Sequence, residues 1–411
     1  MSRHRVVGPS AWILGAAGLV IGVGAAWLVS QGNPGNMGLC IACFNRDITG
    51  AFGGAWANMG GVAYLRPEIL GLLLGATAAS FVTSEFRPRG GSSIPLRFVL
   101  GFVFMLSSLI FLGCTVRAWL RLGGGDLNAL YGIAGIVAGV MVGVVILKQG
   151  FNLGRAKVTS PIVGWIGPAI MAVLLVLAFM VAFGSAPGFV TTTPAGAKAT
   201  AEGAVVQGDS VLKPPGGTLE DGAVVAEDGT VISPAESVAK APPMPGGRRA
   251  PFAISIVAGV ALGVVAQRSR FCSIGGIRDA VLVRRYDLLF GVAGLLVGAT
   301  VANLLLGQYN LGFVGQPIAH TNALGNFAAM GVAGLSATML GGCPFRQVIM
   351  SGEGDADATV AVLGMFAGAL VAHRFVIAST GAGLSDKAWP VMAVMAVVLL
   401  VIAFAKRERV A

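Results

Sequence analysis

Apolar residues run through this chain in long unbroken blocks, without the three-to-four spacing of a one-faced helix or the alternation of a half-buried strand. The blocks last roughly 17 to 23 residues, close to the 20 or so that a helix needs to cross the hydrocarbon core of a bilayer. They predict about ten transmembrane helices, over residues 11–30, 67–84, 96–113, 127–147, 161–183, 251–267, 287–306, 324–342, 356–378 and 389–405. Arg66 with Pro67, and Ser160 with Pro161, supply a cap position and a first-turn proline for two of them. The first block follows the basic stretch "MSRHRVVGPS", as the core of a signal peptide would. It is long enough to span and lacks a small-x-small cleavage site before Gln31, so it reads as a helix that stays.

Composition agrees with this pattern. The 411 residues are 55% hydrophobic and 11% charged, where soluble domains carry about 25% charged residues. The expected fold class is an all-α integral membrane protein with reentrant half helices beside the spans. A net charge of +10 would suggest nucleic acid in a soluble chain. Here the Lys and Arg sit in short loops between spans, where they set orientation, and nucleic acid is excluded as a partner.

Hydropathy collapses between Gly184 and Arg249 into Ala, Gly, Pro, Thr and scattered acids. That composition predicts a disordered linker over 184–249, between a first membrane repeat over 1–183 and a second over 250–411. The halves look duplicated. Cys43 and Cys272 are 229 residues apart, as are Cys114 and Cys343. The same offset pairs Gly113 with Gly342, Arg117 with Arg346, Gly123 with Gly352, Gly125 with Gly354 and Asp126 with Asp355. If the basic segments (the N-terminus, Arg87 to Arg97, Lys148 to Lys157, Arg268 to Arg285 and the "KRER" tail) are cytoplasmic, the spans alternate with both termini inside. Each half then holds five spans and the second is inverted on the first, a transporter architecture. Arg46, Arg66, Arg117 and Arg121 run against that charge rule, since they fall toward the outer side.

The chemistry concentrates at cysteine. Cys43, Cys114 and Cys343 each precede an arginine by three residues (Arg46, Arg117 and Arg346), a spacing that shares one helix face. Cys272 departs from it, with its arginine at Arg278 and Asp279 next, as Asp47 follows Arg46. Glycine-containing turns enter these motifs, which reads as half helices whose N-terminal dipole and arginines favour thiolates and bound anions. Free cysteine also packs as a small hydrophobe, and Arg46–Asp47 and Arg278–Asp279 also read as internal ion pairs. Asp126 and Asp355 read as N-caps. "CIAC", with Cys40 added to Cys43, is a possible redox pair. No second such pair and no nearby histidine completes a metal set, so neither metal nor cofactor is expected. His373 beside Arg374 is a candidate for the path, with packing as its alternative; His4 and His320 carry less. Trp27, Trp56 and Trp389 fit interfacial anchoring in membrane lipid.

The stretches "GNMGLCIACFNRDITGAFGG", "RPEILGLLLGA", "GGGDLNALYGIAG", "RSRFCSIGGIRD", "GQPIAHT" and "GGCPFRQ…SGEGDADA" resemble the YeeE/YedE family of inner-membrane sulfur transporters, in its branch named for selenium transport. The resemblance covers nearly all of the chain outside the linker. It implies an hourglass of helices in which loops from both faces meet and cysteine thiols pass a small sulfur- or selenium-containing anion inward across a bacterial inner membrane. It makes Cys43, Cys114, Cys272 and Cys343 the relay thiols, sets Arg46, Arg117, Arg278 and Arg346 near the path, and implies a small cytosolic sulfur-carrier protein as partner. It implies transport and no enzyme activity; the long linker departs from the compact transporters. The rival expectation is a membrane thiol-disulfide oxidoreductase exchanging through CIAC.

Overall fold

The structure is a computed structural model that describes residues 10–53, 62–190 and 249–408, together with short strands between 198 and 233. The described residues form fourteen helices. Nine stretches are long and apolar enough to cross a membrane, and the sixteen-residue Pro67–Val82 is a shorter apolar helix. Together they match the ten spans expected. The chain is a multi-pass, mainly helical membrane protein.

In the first half the helices are α1 (Ser10–Ser30), α2 (Ile41–Gly53), α3 (Pro67–Val82), α4 (Ile94–Phe111), α5 (Thr115–Gly123), α6 (Asn128–Lys148) and α7 (Pro161–Ala182). In the second they are α8 (Phe252–Ser269), α9 (Ser273–Leu282), α10 (Asp287–Leu305), α11 (Ala323–Leu340), α12 (Pro344–Gly352), α13 (Ala356–Arg374) and α14 (Ala388–Ala405). Four of them, α2, α5, α9 and α12, are too short to span. Between 184 and 249, six strands of two or three residues pair antiparallel in two sheets. Apart from those strands, residues 191–248 of the expected linker, like His4 and Trp56, lie outside the described residues.

The main helix pairs cross between the halves. α1 packs on α10, α3 on α8, α6 on α11 and α4 on α13. Glycine makes each crossing close. Gly18 lies against the backbone of Gly291 and Gly22 against that of Leu295; Gly71 meets Ile256 and Gly75 meets Val260. Gly135 and Gly139 meet Phe327 and Gly331, and Gly101 meets Ala361. A Cβ at any of these would collide with a neighbouring main chain, which is why small residues mark such seams in lipid. Residue numbers rise together along each seam, so the paired helices run parallel. By contrast α4 and α11 run antiparallel, with Ser336 Oγ donating to the Leu100 carbonyl (2.7 Å) and Arg97 Nη1 to that of Leu340 (3.4 Å).

The loops sort onto two ends. At one end the N–H of Ala250 donates to Asn33 Oδ1 (2.9 Å), and that of Leu127 to the Gly312 carbonyl (3.0 Å). The opposite end holds the two-residue strands β1 (Arg89–Gly90) and β2 (Lys157–Val158), which pair antiparallel. There Arg89 meets Asp355 (2.7 Å), Phe151 bridges to Arg407, and Arg268 lies 3.5 Å from Glu85. A hydrogen bond from Gln267, then Arg268 and Arg270, hold the Glu85 carboxyl below its ordinary range. The described basic segments therefore share one end. Arg46, Arg66, Arg117 and Arg121, which ran against the charge rule, are buried rather than exposed in loops. α4 is enclosed by protein from Leu100 onward, whereas α1, α7, α10 and α14 present Trp12, Val173, Val297 and Val397 outward. Trp27 and Trp389 are exposed.

Candidate functional site

Each of the four half helices begins at a cysteine. Cys114 precedes α5, Cys272 precedes α9 and Cys343 precedes α12, all with extended backbone at the N-cap. Cys40 immediately precedes α2. The chain reaches two of them through a sharp break. Gly341 takes a left-handed φ of 94° before Gly342 and Cys343, and at the equivalent place Leu112 adopts φ 64° before Gly113 and Cys114. A left-handed leucine is strained, and here the Arg117 guanidinium donates to its carbonyl.

The five cysteines are free and buried. They form two groups. Cys40 Sγ lies 2.9 Å from Cys43 Sγ and 4.0 Å from Cys114 Sγ. In the other half, the N–H of Cys343 donates to Cys272 Sγ (3.3 Å). The groups are joined by neighbours of the caps: Thr115 Oγ1 and Ser273 Oγ, the first residues of α5 and α9, lie 3.1 Å apart. α2 in turn packs on α12. Cys40 and Cys114 thus join α2 to α5, Thr115 and Ser273 join α5 to α9, Cys272 and Cys343 join α9 to α12, and α12 touches α2, so that the half helices follow one another in a ring.

The geometry pairs the cysteines differently from the 229-residue offset. Cys40 Sγ accepts the N–H of Cys43, three residues on (3.4 Å), and Cys272 Sγ accepts that of Gly275, also three residues on (3.2 Å). Cys40 therefore holds the same capping position on α2 as Cys272 does on α9, and Cys43 lies one turn inside its helix. The sequence carries a signal for this: Cys40 precedes Arg46 and Asp47 by six and seven residues, as Cys272 precedes Arg278 and Asp279. A shift of three residues between the two motifs of a half hides it from a single offset.

The arginines differ in their neutralisation. Arg46 contacts Asp47 (2.7 Å), and Asp47 also holds Arg66 (2.7 Å). Arg278 pairs with Asp279 (2.8 Å) and donates to the Gly341 carbonyl (3.2 Å). Arg346 forks onto Glu353 (2.8 and 3.1 Å). Arg117 is fully buried; besides Leu112 it donates to the carbonyls of Asn36, Pro317 and Ile318, and its Nη1 lies 3.8 Å from Cys43 Sγ. Its positive charge is balanced by carbonyl dipoles, with no carboxylate in contact among the described residues.

Asp355 caps α13 through the Ala358 N–H (3.0 Å). Asp126 instead precedes the cap residue, binding the Asn128 N–H (3.0 Å) and the Arg121 guanidinium (2.6 Å). His320 Nε2 lies 2.9 Å from the Ile110 carbonyl. The buried Nε2 of His373 has no hydrogen-bond partner among the described residues. Sequence reasoning did not single out Thr115, Ser273, Asn45 or Gln347. The last two are buried, and both polar atoms of each side chain lack a partner among the described residues. No protein-family model and no curated protein matches the chain.

Proposed function

We propose that this chain is a transporter or channel that moves a small sulfur- or selenium-containing anion, thiosulfate-like or a selenium species, across a bacterial inner membrane into the cytoplasm, and that it is not an enzyme. The observation that carries the reading is the ring of four cysteine-capped half helices joined by Thr115 and Ser273. Broken helices aiming their N-termini at one point within a membrane are suited to an anion. Thiols offer weak, polarizable donors, so each contact is modest, and a chain of modest sites lets the anion leave as readily as it enters. Buried arginine, above all Arg117, offsets the cost of bringing negative charge there.

In the same reading the halves are inverted five-span repeats forming an hourglass. The parallel seams α1–α10 and α3–α8, the antiparallel α4–α11 contact and the nine-residue α5 and α12 at a 229-residue offset support that arrangement. The basic end faces the cytoplasm by the positive-inside rule, where a small sulfur-carrier protein would receive the cargo. Membership of the YeeE/YedE family, in its selenium-transport branch, rests on the motif resemblance.

The short Cys40–Cys43 contact favours a second reading, membrane thiol-disulfide exchange through CIAC. Vesicle uptake separates the two. In proteoliposomes, transport predicts entry of labelled thiosulfate or selenite that is lost in Cys343→Ala, a thiol outside the CIAC pair. Full uptake by well-folded Cys343→Ala, with mixed disulfides trapped on Cys40 or Cys43, would replace transport by exchange.

A further inference from the structure

Asn45 and Gln347 stand out chemically because buried amides are almost always hydrogen-bonded. Each such group left bare costs as much as an ordinary hydrogen bond contributes, so two whole amides without protein partners would be selected against in a merely structural core. Asn45 lies on α2, five residues past the Cys40 cap and one before Arg46; Gln347 lies on α12, four past the Cys343 cap and one after Arg346. Both side chains are completely buried. The Gln347 Nε2 reaches back to within 3.6 Å of where a Cβ on Gly342 would stand, beside the turn that presents Cys343.

The ring has two ways across between the halves. On the α5–α9 side Thr115 and Ser273 satisfy each other, which closes that side with a hydroxyl–hydroxyl bond. On the α2–α12 side the corresponding first residues are Ile41 and Pro344, which bring no side-chain donor, and the unpartnered amides lie on the same two helices. One crossing is thus latched, and the two helices of the other carry amides with no partner among the described residues.

We propose that Asn45 and Gln347 are substrate-binding residues, and that the anion crosses between the halves on the α2–α12 side. Their amide N–H groups bind oxygen atoms of the anion while the Cys40, Cys43 and Cys343 thiols contact its sulfur or selenium; their amide oxygens accept from thiol or from the hydration shell that enters with the ion. The donor set, hard amides beside soft thiols, fits an anion that bears both oxygen and a chalcogen better than a bare hydrosulfide or selenide. This deepens the transport reading above and rests on it.

The test uses full-length protein in proteoliposomes with labelled thiosulfate and labelled hydrosulfide, and the same protein in detergent for thermal melting. Gln347→Leu and Asn45→Leu remove amides without making a large cavity. If the amides serve substrate, each variant melts at or above the wild-type temperature, since a bare polar group has been replaced by an apolar one. Thiosulfate uptake at low concentration falls about tenfold through a raised KM, while hydrosulfide uptake changes little. Gln347→Glu keeps the shape, adds negative charge and lowers thiosulfate uptake further. Wild-type thiosulfate kinetics in both leucine variants would overturn the proposal, as would a fall in melting temperature with equal loss for both anions, or failure of Gln347→Leu and Gln347→Glu to fold, since either makes the amides structural. Cys343→Ala in parallel keeps the two readings apart: if it transports normally, the thiol path itself is wrong, and if it alone loses uptake, only the amide assignment falls.

Discussion

Cys40 and Cys272 cap their half helices in the same way, each sulfur accepting the N–H of the residue three places on, at 3.4 and 3.2 Å. The 229-residue offset pairs Cys272 with Cys43 instead and leaves Cys40 to the CIAC pair. The shared capping geometry makes Cys40 an end of the half-helix ring and places Cys43 behind it, beside Arg117.

Transport should therefore depend on Cys40 as strongly as on Cys272. Cys40→Ala and Cys272→Ala are expected to lose most uptake of labelled thiosulfate in proteoliposomes, and Cys43→Ala to lose less. Serine at either cap should preserve the fold, since its hydroxyl accepts from the same N–H, but should not restore the soft contact. A Cys43→Ala defect deeper than that of Cys40→Ala would return the assignment to the simple offset.

Asp47 holds two buried guanidiniums at once, those of Arg46 and Arg66. Asp47→Asn keeps the volume and takes the shared carboxylate from both guanidiniums, a loss of about 3 to 5 kcal/mol for a broken buried pair. Thermal melting in detergent should show a large drop, whereas Asp279→Asn should fall by much less, since Asp279 and Arg278 are both partly exposed. Equal melting temperatures for the two variants would count against a buried Asp47.

Gly139 packs against the backbone of Gly331 and Leu335 on the α6–α11 seam. Gly139→Leu should force the two helices apart at a cost of about 2 to 3 kcal/mol, read as lower melting temperature and poor recovery by size exclusion. Leucine at Gly91, which has open space around it, should not part any helices, although its left-handed φ of 90° carries its own smaller strain.

The two ends of the molecule are distinguishable chemically. Asn152 lies at the end that holds Arg407, and Gln308 lies near Asn310 and Gly312 at the end that holds Asp126. Reporter cysteines at these positions should label from opposite sides of right-side-out vesicles with an impermeant thiol reagent, Gln308→Cys from outside and Asn152→Cys only after permeabilisation. Labelling of both from one side would break the parallel seams described above.

The amino-acid sequence by itself determined the spans and the cysteine motifs that open half helices. These are legible because bilayer thickness fixes how long an apolar run must be, and because a cysteine followed by arginine at a turn is a local pattern. Only the tertiary structure decided which helix meets which, that Asp47 serves Arg66 as well as Arg46, that Thr115 bonds Ser273, and that Asn45 and Gln347 are buried with no side-chain partner among the described residues. The reason is physical: a helix that is apolar all round carries no stripe to announce its neighbour. The seams are set instead by glycines meeting backbones more than a hundred residues away, as Gly18 meets Gly291 and Gly101 meets Ala361. A register shift of three residues, invisible to hydropathy, separates the capping position of Cys40 from Cys43, which the 229-residue offset pairs with Cys272.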